Sequence, residues 1–254
     1  MNEISVTILG CGSSDGVPQV GCNCDVCISA EQKNKRTRSS ILVEIGNFKL
    51  LIDVGPDLRQ QAIREGISVI DAVIITHPHY DHIGGIGDLK VFMQQNGRVI
   101  PIYADPITTA MTEATFRYAF SSKNILYQPI VESYPFYGPF SINQVLIQPF
   151  KQQHGKFFSY GFRIGDFAYS TDVSTLDVAA YEILKDVKYW IVDCIRYYKS
   201  PTHFCLDDTV KAILRVQPGL AIFTHMCHDI DYNALSANLP SNIKVGYDGM
   251  KIRI

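Results

Sequence analysis

The chain has 254 residues, 46% of them hydrophobic and 19% charged, with a formal net charge of −2. This length can bury a large core, and the acidic balance argues against binding nucleic acid through an overall positive field. No apolar run approaches the roughly 18 residues that suggest a membrane span. We therefore expect one α/β domain over residues 1–254, soluble and cytoplasmic, without a signal peptide because MNEISVTILG begins directly with a strand pattern.

A strand over Ile4–Leu9 leads into a long loop, about residues 10–38, that carries clustered cysteines. The stretch GCNCDVC contains Cys22, Cys24 and Cys27. Seven cysteines cannot pair completely, and a reducing compartment disfavours disulfides, so the cluster favours a metal site. Such a site needs a fourth ligand from elsewhere in the chain.

A basic run, KNKRTR, closes this loop from Lys33 to Arg38. Its first interpretation is a solvated surface loop, and its second is contact with a phosphate-bearing ligand.

Strands and helices alternate along the rest of the chain. Beta-rich runs predict strands at Ile41–Ile45, Phe48–Ile52, Ala72–Ile75, Val145–Gln148, Tyr160–Ile164, Phe167–Ser170, Tyr189–Val192, Ala221–Thr224 and Lys251–Ile254. Helical patterns cover Asp57–Glu65, Pro106–Tyr118, Leu176–Leu184, Asp207–Val216 and Tyr232–Leu239. Because strands occur in hairpins as well as before helices, we expect mixed sheets covered by helices rather than a purely parallel sheet.

The segment AVIITHPHYDHIGG holds the densest group of chemically active residues. A strand ends, and His77, His79, Asp81 and His82 follow. Alternate side chains of an extended segment share a face, so His77 and His79 can point the same way. Asp81 and His82 are adjacent and diverge, which suits ligands of two neighbouring metals.

Three further candidate ligands follow later strands. His154 comes after the strand that begins at Val145, Asp172 lies in YSTD, and His225 lies in FTH. Open α/β sheets gather their ligands at the carboxyl ends of strands, so we expect these side chains to complete the metal shells.

Together these residues resemble the ligand set of the metallo-β-lactamase superfamily. The resemblance covers nearly the whole chain and implies the metallo-β-lactamase fold, an αββα sandwich of two mixed sheets flanked by helices. Asp53 in LLIDVG resembles the aspartate of that family's first motif, which orients a metal ligand; a cap of the turn at Gly55 and Pro56 is the alternative. The implied centre holds two divalent metals, manganese or zinc: His77, His79 and His154 bind one, Asp81, His82 and His225 bind the other, and Asp172 bridges them.

The fourth ligand of the cysteine loop has two candidates, both in HMCH. His228 lies three residues after His225 and would complete a Cys3His tetrahedron, a usual form of structural zinc site. Cys227 competes with it.

Within the superfamily, this cysteine loop and the histidine after the last active-site ligand resemble the PhnP-type phosphoribosyl 1,2-cyclic phosphate phosphodiesterases. The ending GYDGMKI is also similar. His203 in SPTHF matches a catalytic histidine of that family, although Arg196, Tyr197 and Tyr198 depart from its pattern. A structural role near Asp207 at the start of the next helix is the alternative.

The resemblance implies a metal-dependent hydrolase that attacks a small cyclic phosphodiester with a hydroxide held between two metals, with His203, Asp172 and Asp53 as catalytic residues. A ribonuclease Z-like nuclease is an alternative, because the glycine-rich N-terminal loop of those enzymes is similar to GCGSSDGVP, but the segment from Arg98 to Ser141 contains no long Gly/Pro-rich basic insertion that could hold RNA. Nucleic acid and membranes are therefore not expected partners. Thioester or lactam cleavage and a PqqB-like accessory role are further alternatives, and the aromatic run YPFYGPF could serve a homodimer or close over a ligand.

Overall fold

The computed structural model describes residues 4–120 and 128–254. Residues 121–127, part of the segment considered for an RNA-binding insertion, lie outside the described residues. The chain divides into two compact units. Of the described residues, unit 1 contains 4–9, 40–120, 128–137 and 251–253, and unit 2 contains 10–39, 138–250 and 254. The single domain over residues 1–254 stays a prediction.

Fourteen strands and nine α-helices lie in the described part of the chain. The strands are β1 Ile4–Gly10, β2 Ser40–Ile45, β3 Phe48–Ile52, β4 Ala72–Ile74, β5 Ile100–Ala104, β6 Val131–Pro135, β7 Phe140–Ile142, β8 Val145–His154, β9 Phe157–Ile164, β10 Phe167–Ser170, β11 Tyr189–Asp193, β12 Leu220–Thr224, β13 Ile243–Val245 and β14 Lys251–Arg253. The helices are α1 Asp25–Ile28, α2 Leu58–Glu65, α3 Tyr80–Ile83, α4 Leu89–Asn96, α5 Pro106–Thr115, α6 Arg117–Phe120, α7 Val178–Leu184, α8 Leu206–Val216 and α9 Tyr232–Ser236.

Each unit contains one seven-stranded mixed sheet. The sheet of unit 1 has the order β14-β1-β2-β3-β4-β5-β6, with β3 to β6 parallel to one another. The sheet of unit 2 has the order β13-β12-β11-β10-β9-β8-β7, with β10 to β13 parallel and β7 to β10 antiparallel. The prediction of two mixed sheets with helices is confirmed.

Local sequence explains where several helices begin and end. Asp105 accepts hydrogen bonds from the first backbone N–H groups of α5, and Pro106 fits the first turn because no helical partner is needed there. Gly66 ends α2 in the left-handed region, φ 65°. The predicted single helix Pro106–Tyr118 is interrupted at Phe116, so it forms α5 and α6 instead.

The core of unit 1 packs its first helices against the parallel strands. Leu51 and Val73 on the sheet and Leu58 on α2 belong to one buried cluster. Gly85 makes this packing possible, because a Cβ at that position would lie 2.2 Å from the Gly55 carbonyl oxygen. The segment from β3 into α2 and the segment after α3 are therefore held together, and both carry candidate site residues.

In unit 2 the large side chains of Trp190, Tyr169 and Phe223 are fully buried along β10, β11 and β12. The parallel strands β10 to β12 end at the same edge of the sheet, where Asp172, Asp193 and His225 follow one another in space. Within residues 4–120 and 128–254, no helix is both long and apolar enough to cross a membrane.

Candidate metal centres

In unit 1, Asp53 directly follows β3 and is completely buried. Its backbone has φ 65°, a left-handed conformation that non-glycine residues rarely adopt. Both carboxylate oxygens are used: Oδ1 accepts from the Thr76 backbone N–H at 2.8 Å, and Oδ2 accepts from His82 Nδ1 at 2.7 Å. Burial raises the pKa of the Asp53 carboxyl, and the His82 and Thr76 donors oppose that increase.

The predicted ligands of unit 1 come together after β4 and in α3. His77, Asp81 and His82 are buried, whereas His79 is exposed. His77 Nε2 lies 3.0 Å from His79 Nδ1, and His82 Nε2 lies 3.1 Å from Asp81 Oδ2. The four side chains therefore turn nitrogen and oxygen atoms towards one another.

Two hydrogen bonds orient the buried histidines of unit 1. His82 Nδ1 donates to Asp53, and His77 Nδ1 donates to Thr76 Oγ1 at 2.9 Å, which itself donates to Asp53. With Nδ1 protonated in both rings, each Nε2 carries a lone pair. Asp53 thus hydrogen-bonds a candidate ligand, and its role in orienting that ligand stays a prediction of the family resemblance.

In unit 2, Asp172 lies at the centre of a group of histidines that we call the carboxylate cluster: His154, Asp172, His203 and His225. Asp172 Oδ2 lies 3.4 Å from His225 Nε2, 3.7 Å from His203 Nδ1 and 3.9 Å from His154 Nε2. Thr171 Oγ1 donates to the other carboxylate oxygen at 2.8 Å. The structure therefore brings together the three unit 2 ligands predicted at strand ends and adds His203 to them.

His154 and His225 are oriented in the same way as the histidines of unit 1. His154 Nδ1 donates to the Thr202 carbonyl oxygen at 2.7 Å, and His225 Nδ1 donates to Ser39 Oγ at 3.2 Å. Ser39 in turn donates to the Gly12 carbonyl oxygen. Both rings consequently aim a lone-pair nitrogen at Asp172, the tautomer that a metal ligand requires.

The backbone is strained where this cluster is built. Asp172 has φ 54° and His225 has φ 58°, both in the left-handed region. Neither residue is a glycine, and such conformations persist only where surrounding structure enforces them. Asp53 of unit 1 shows the same feature at the end of its own strand.

His203 differs from its neighbours in the nitrogen that it presents. Its Nδ1 donates to Asp193 Oδ2 at 2.9 Å, and the same nitrogen faces Asp172. Asp193 is completely buried, and its Oδ2 also accepts from the Val173 backbone N–H. Burial raises the pKa of the Asp193 carboxyl, while His203 opposes the shift.

Asp193 is a site residue that the sequence analysis missed. It is the last residue of β11, between the strands that lead to Asp172 and His225. The rule used for those two residues, an acid or histidine at the carboxyl end of a parallel strand, would have found it.

The cysteine loop forms a second group in unit 2, the thiolate cluster: Cys22, Cys24, Cys27 and His228. His228 Nδ1 lies 3.2, 3.5 and 3.6 Å from the sulfur atoms of Cys22, Cys24 and Cys27. A backbone N–H from Cys27 lowers the pKa of the Cys24 thiol to about 7, and burial raises that of Cys27 to about 11. All four ligand atoms converge within 4.8 Å of one another.

Cys227, the competing candidate, points elsewhere. Its thiol donates to Asp229 Oδ2 at 3.3 Å, and burial raises its pKa to about 12. The geometry therefore favours His228 as the fourth member of the thiolate cluster.

Arg36 shows that the basic run is not a solvated surface loop throughout, so that expectation is wrong at this residue. Its side chain is 2% exposed and donates to the carbonyl oxygens of Cys227 and Ile230. Lys35 donates to the Cys27 carbonyl oxygen. The run instead fastens the cysteine loop to the segment that carries His228.

The donor sets fit metal ions chemically. In both units, lone-pair nitrogens lie close to a carboxylate oxygen or to a second imidazole, an arrangement that a shared cation stabilises. Imidazole and carboxylate donors suit zinc or manganese, and three thiolates with one imidazole suit zinc.

Comparisons with known proteins place the chain in a family. The family described as Beta-lactamase superfamily domain matches residues 49–226, and the chain belongs to the metallo-β-lactamase superfamily. An octanoyltransferase of Porphyromonas gingivalis is 32% identical over 249 residues, which are 96% of this chain and 50% of that protein. The chain thus spans half the length of this curated relative.

Solved structures agree with this assignment. A diphosphatase from the PhnP family has a TM-score of 0.93 at 34% identity, covering 99% of this chain and 97% of that chain. Zinc-bound PqqB from Methylobacterium extorquens has a TM-score of 0.79 at 18% identity, covering 98% of this chain and 100% of that chain, which shows the fold alone. The predicted metallo-β-lactamase fold and the resemblance to the PhnP family are confirmed, and the fold is that of metal-dependent hydrolases.

Proposed function

We propose that this protein is a dinuclear metal-dependent hydrolase that cleaves a P–O bond in a small, cyclic phosphodiester. The observation that carries the proposal is the carboxylate cluster, in which two oriented histidines aim Nε2 at a buried, strained Asp172. The 34% identical relative that is named a diphosphatase of the PhnP family supports a phosphorus-containing substrate.

The proposed metal ligands are those that the superfamily resemblance implies. Two bound divalent metals would lower the pKa of a shared water and offset the negative charge on phosphorus-bound oxygens. His77, His79 and His154 would hold one metal, Asp81, His82 and His225 the other, with Asp172 common to both. A structural zinc would be held by the thiolate cluster.

The chain's own residues then have distinct roles. Asp53 and Thr76 fix the tautomers of His82 and His77, so that Nε2 is available as a ligand. His203 would donate a proton to the leaving oxygen as water adds to phosphorus and the P–O bond to that oxygen breaks. Asp193 would stabilise the protonated ring and keep it in position.

The P. gingivalis relative supports a second candidate function. It is named an octanoyltransferase, but this chain matches only half of it, so the name can describe the other half. Hydrolysis of an octanoyl thioester on the same metal core is the corresponding alternative.

The deciding experiment measures turnover by protein reconstituted with manganese. The substrates are phosphoribosyl 1,2-cyclic phosphate, 2′,3′-cyclic nucleotides, a nucleoside diphosphate derivative and an octanoyl thioester. We expect turnover of a cyclic phosphodiester that is lost in His203→Ala at unchanged metal content. Turnover of the thioester alone would replace the proposal with the second candidate, and inactivity on all phosphorus substrates with metals bound would overturn it.

A further inference from the structure

Unit 2 contains a cavity of about 720 Å³ that is separate from both clusters in its lining residues. It opens between α7, α8, the turn of the β8-β9 hairpin and the segment Lys199–Phe204. Binding sites for small molecules usually have volumes of about 300–1,000 Å³. The cavity is therefore large enough for a metabolite and too small and concave for a nucleic acid duplex.

The charges around this cavity are unbalanced. Lys199, Lys211 and Arg215 line it, and Asp208 is the only carboxylate among its lining residues. Lys211 and Arg215 lie four residues apart on α8, so they project from the same face of the helix. In a chain of net charge −2, this local excess of positive charge favours an anion, and a concave wall strengthens the field that the anion experiences.

Contacts with neighbouring side chains hold two of the three positively charged side chains. The Arg215 guanidinium carbon lies 3.7 Å from the centroid of the Tyr181 ring, and this cation–π contact restrains the side chain. Lys199 forms an ion pair with Asp208 at the rim. A planar guanidinium matches two oxygens of a phosphate group, and neighbouring ammonium groups add charge without demanding one orientation.

The cavity shares a wall with the carboxylate cluster. Ser200 and Pro201 line the cavity, and the next residue, Thr202, accepts the hydrogen bond that orients His154. His203 follows in the same segment. Gly155, another lining residue, approaches Thr202 so closely that a Cβ would lie 2.7 Å from its Cγ2 atom.

We propose that this cavity binds a small molecule that carries a phosphate or diphosphate group, at a site distinct from the proposed metal centre. The proposal rests on the lining and charge of unit 2 alone, and it holds whichever substrate the metal centre cleaves. Occupancy would restrain the segment that positions His203 and His154.

The test measures protection of individual lysines against acetylation in the metal-loaded protein. Inorganic phosphate or inorganic diphosphate is added at increasing concentration, with sodium chloride of equal ionic strength as the control for screening. Acetylation at each lysine is then quantified by mass spectrometry. Lys185, which is exposed at the end of α7 and does not line the cavity, is the internal reference.

We expect diphosphate to slow acetylation of Lys199 and Lys211 several-fold and saturably, with Lys185 unaffected. In Lys211→Gln/Arg215→Gln, the protection of Lys199 should disappear, whereas the charge-matched Lys244→Gln/Arg253→Gln, at exposed positions outside the cavity, should retain it. Equal protection by chloride, protection of all three lysines alike, or full protection of Lys199 in Lys211→Gln/Arg215→Gln would each overturn the proposal.

Discussion

The thiolate cluster and the carboxylate cluster lie in the same unit and share one short segment. They differ in the atoms that they bring together, in burial and in hydrogen bonding. The thiolate cluster is a closed set of three sulfur atoms and one nitrogen, with Cys22, Cys24 and His228 only half-buried. In the carboxylate cluster, the histidines surround one buried aspartate. Hydrogen bonds at Nδ1 orient the rings of His154 and His225.

Backbone strain separates the two clusters further. Among the described residues, Asp172 and His225 have positive φ, whereas no member of the thiolate cluster does. Strain of this kind costs about 1–3 kcal/mol per residue and is typical of functional sites. We therefore propose that the thiolate cluster stabilises the fold and that the carboxylate cluster carries the chemistry, a division that substitutions in each cluster can test.

The largest effect is expected from Asp172→Ala, which removes the acceptor at the centre of the carboxylate cluster. Turnover of the preferred substrate should fall by at least about 10³-fold, as is usual when a core catalytic group is lost. Metal content, measured by elemental analysis, should fall as well, while the thiolate cluster keeps its zinc. A fully active and fully metallated variant would remove the basis for assigning chemistry to this cluster.

Cys24→Ser tests whether the thiolate cluster stabilises the fold. Loss of one thiolate should release one zinc per chain and lower the free energy of unfolding by about 3 kcal/mol, or roughly 6–12 °C in Tm for a chain of this size. The matched control is Cys227→Ser, because the thiol of Cys227 hydrogen-bonds to Asp229 and does not belong to the thiolate cluster. If Cys227→Ser also lost the zinc, Cys227 rather than His228 would be the fourth ligand, and if Cys24→Ser kept the zinc, the cysteine loop would not be a metal site.

Asp193→Asn separates positioning from metal binding within the carboxylate cluster. The substitution weakens the hold on His203, so kcat should fall by about 10- to 100-fold with little change in metal content. In His203→Ala the additional loss from Asp193→Asn should vanish, because the aspartate acts through that ring. Asp166→Asn, which alters an exposed ion pair with Lys188, should leave kcat unchanged. Additive losses in the double variant would contradict this role for Asp193.

Ser39→Ala should produce the smallest effect. Removing the acceptor of His225 Nδ1 loosens one ligand, and the affinity for the active-site metal should fall by about tenfold. Zinc in the thiolate cluster should be retained, although Ser39 ends the loop that carries the cysteines. Ser236→Ala is the control for loss of a partly buried hydroxyl. Equal metal affinity of Ser39→Ala and Ser236→Ala in a metal titration would show that Ser39 does not orient the His225 ring.

Much of this site could be predicted from sequence because its residues follow strands. His77, Asp172 and His225 each come after a run whose apolar and β-branched residues predict a strand, and the sheet brings strand ends together. Asp193 also follows a predicted strand, so the strand-end rule would have found it, but no motif surrounds it to single it out. The sequence could not distinguish Cys227 from His228 as the fourth ligand, because spacing alone does not give the directions in which adjacent side chains point.

The missed elements have physical causes too. Strands β5 and β6 contain proline, which is disfavoured inside strands, and β7 and β13 are three residues long and lack the continuous apolar run that marks the equally short β4. Helix α4 begins directly after the turn at Ile86–Asp88, so its start lacks a separate capping signal. The function of Arg36 could not be predicted, because a buried arginine in a basic run has the same sequence signature as an exposed one.

The segment from His225 to His228 joins the two clusters, and Met226 within it pairs with Gly12 at the start of the cysteine loop. The same loop ends at Ser39, which holds His225. Zinc bound by the thiolate cluster would therefore stiffen both segments that support His225, so its loss would be expected to weaken the affinity of the carboxylate cluster for metal. The activity would then depend on a zinc ion held by residues that take no part in the proposed reaction.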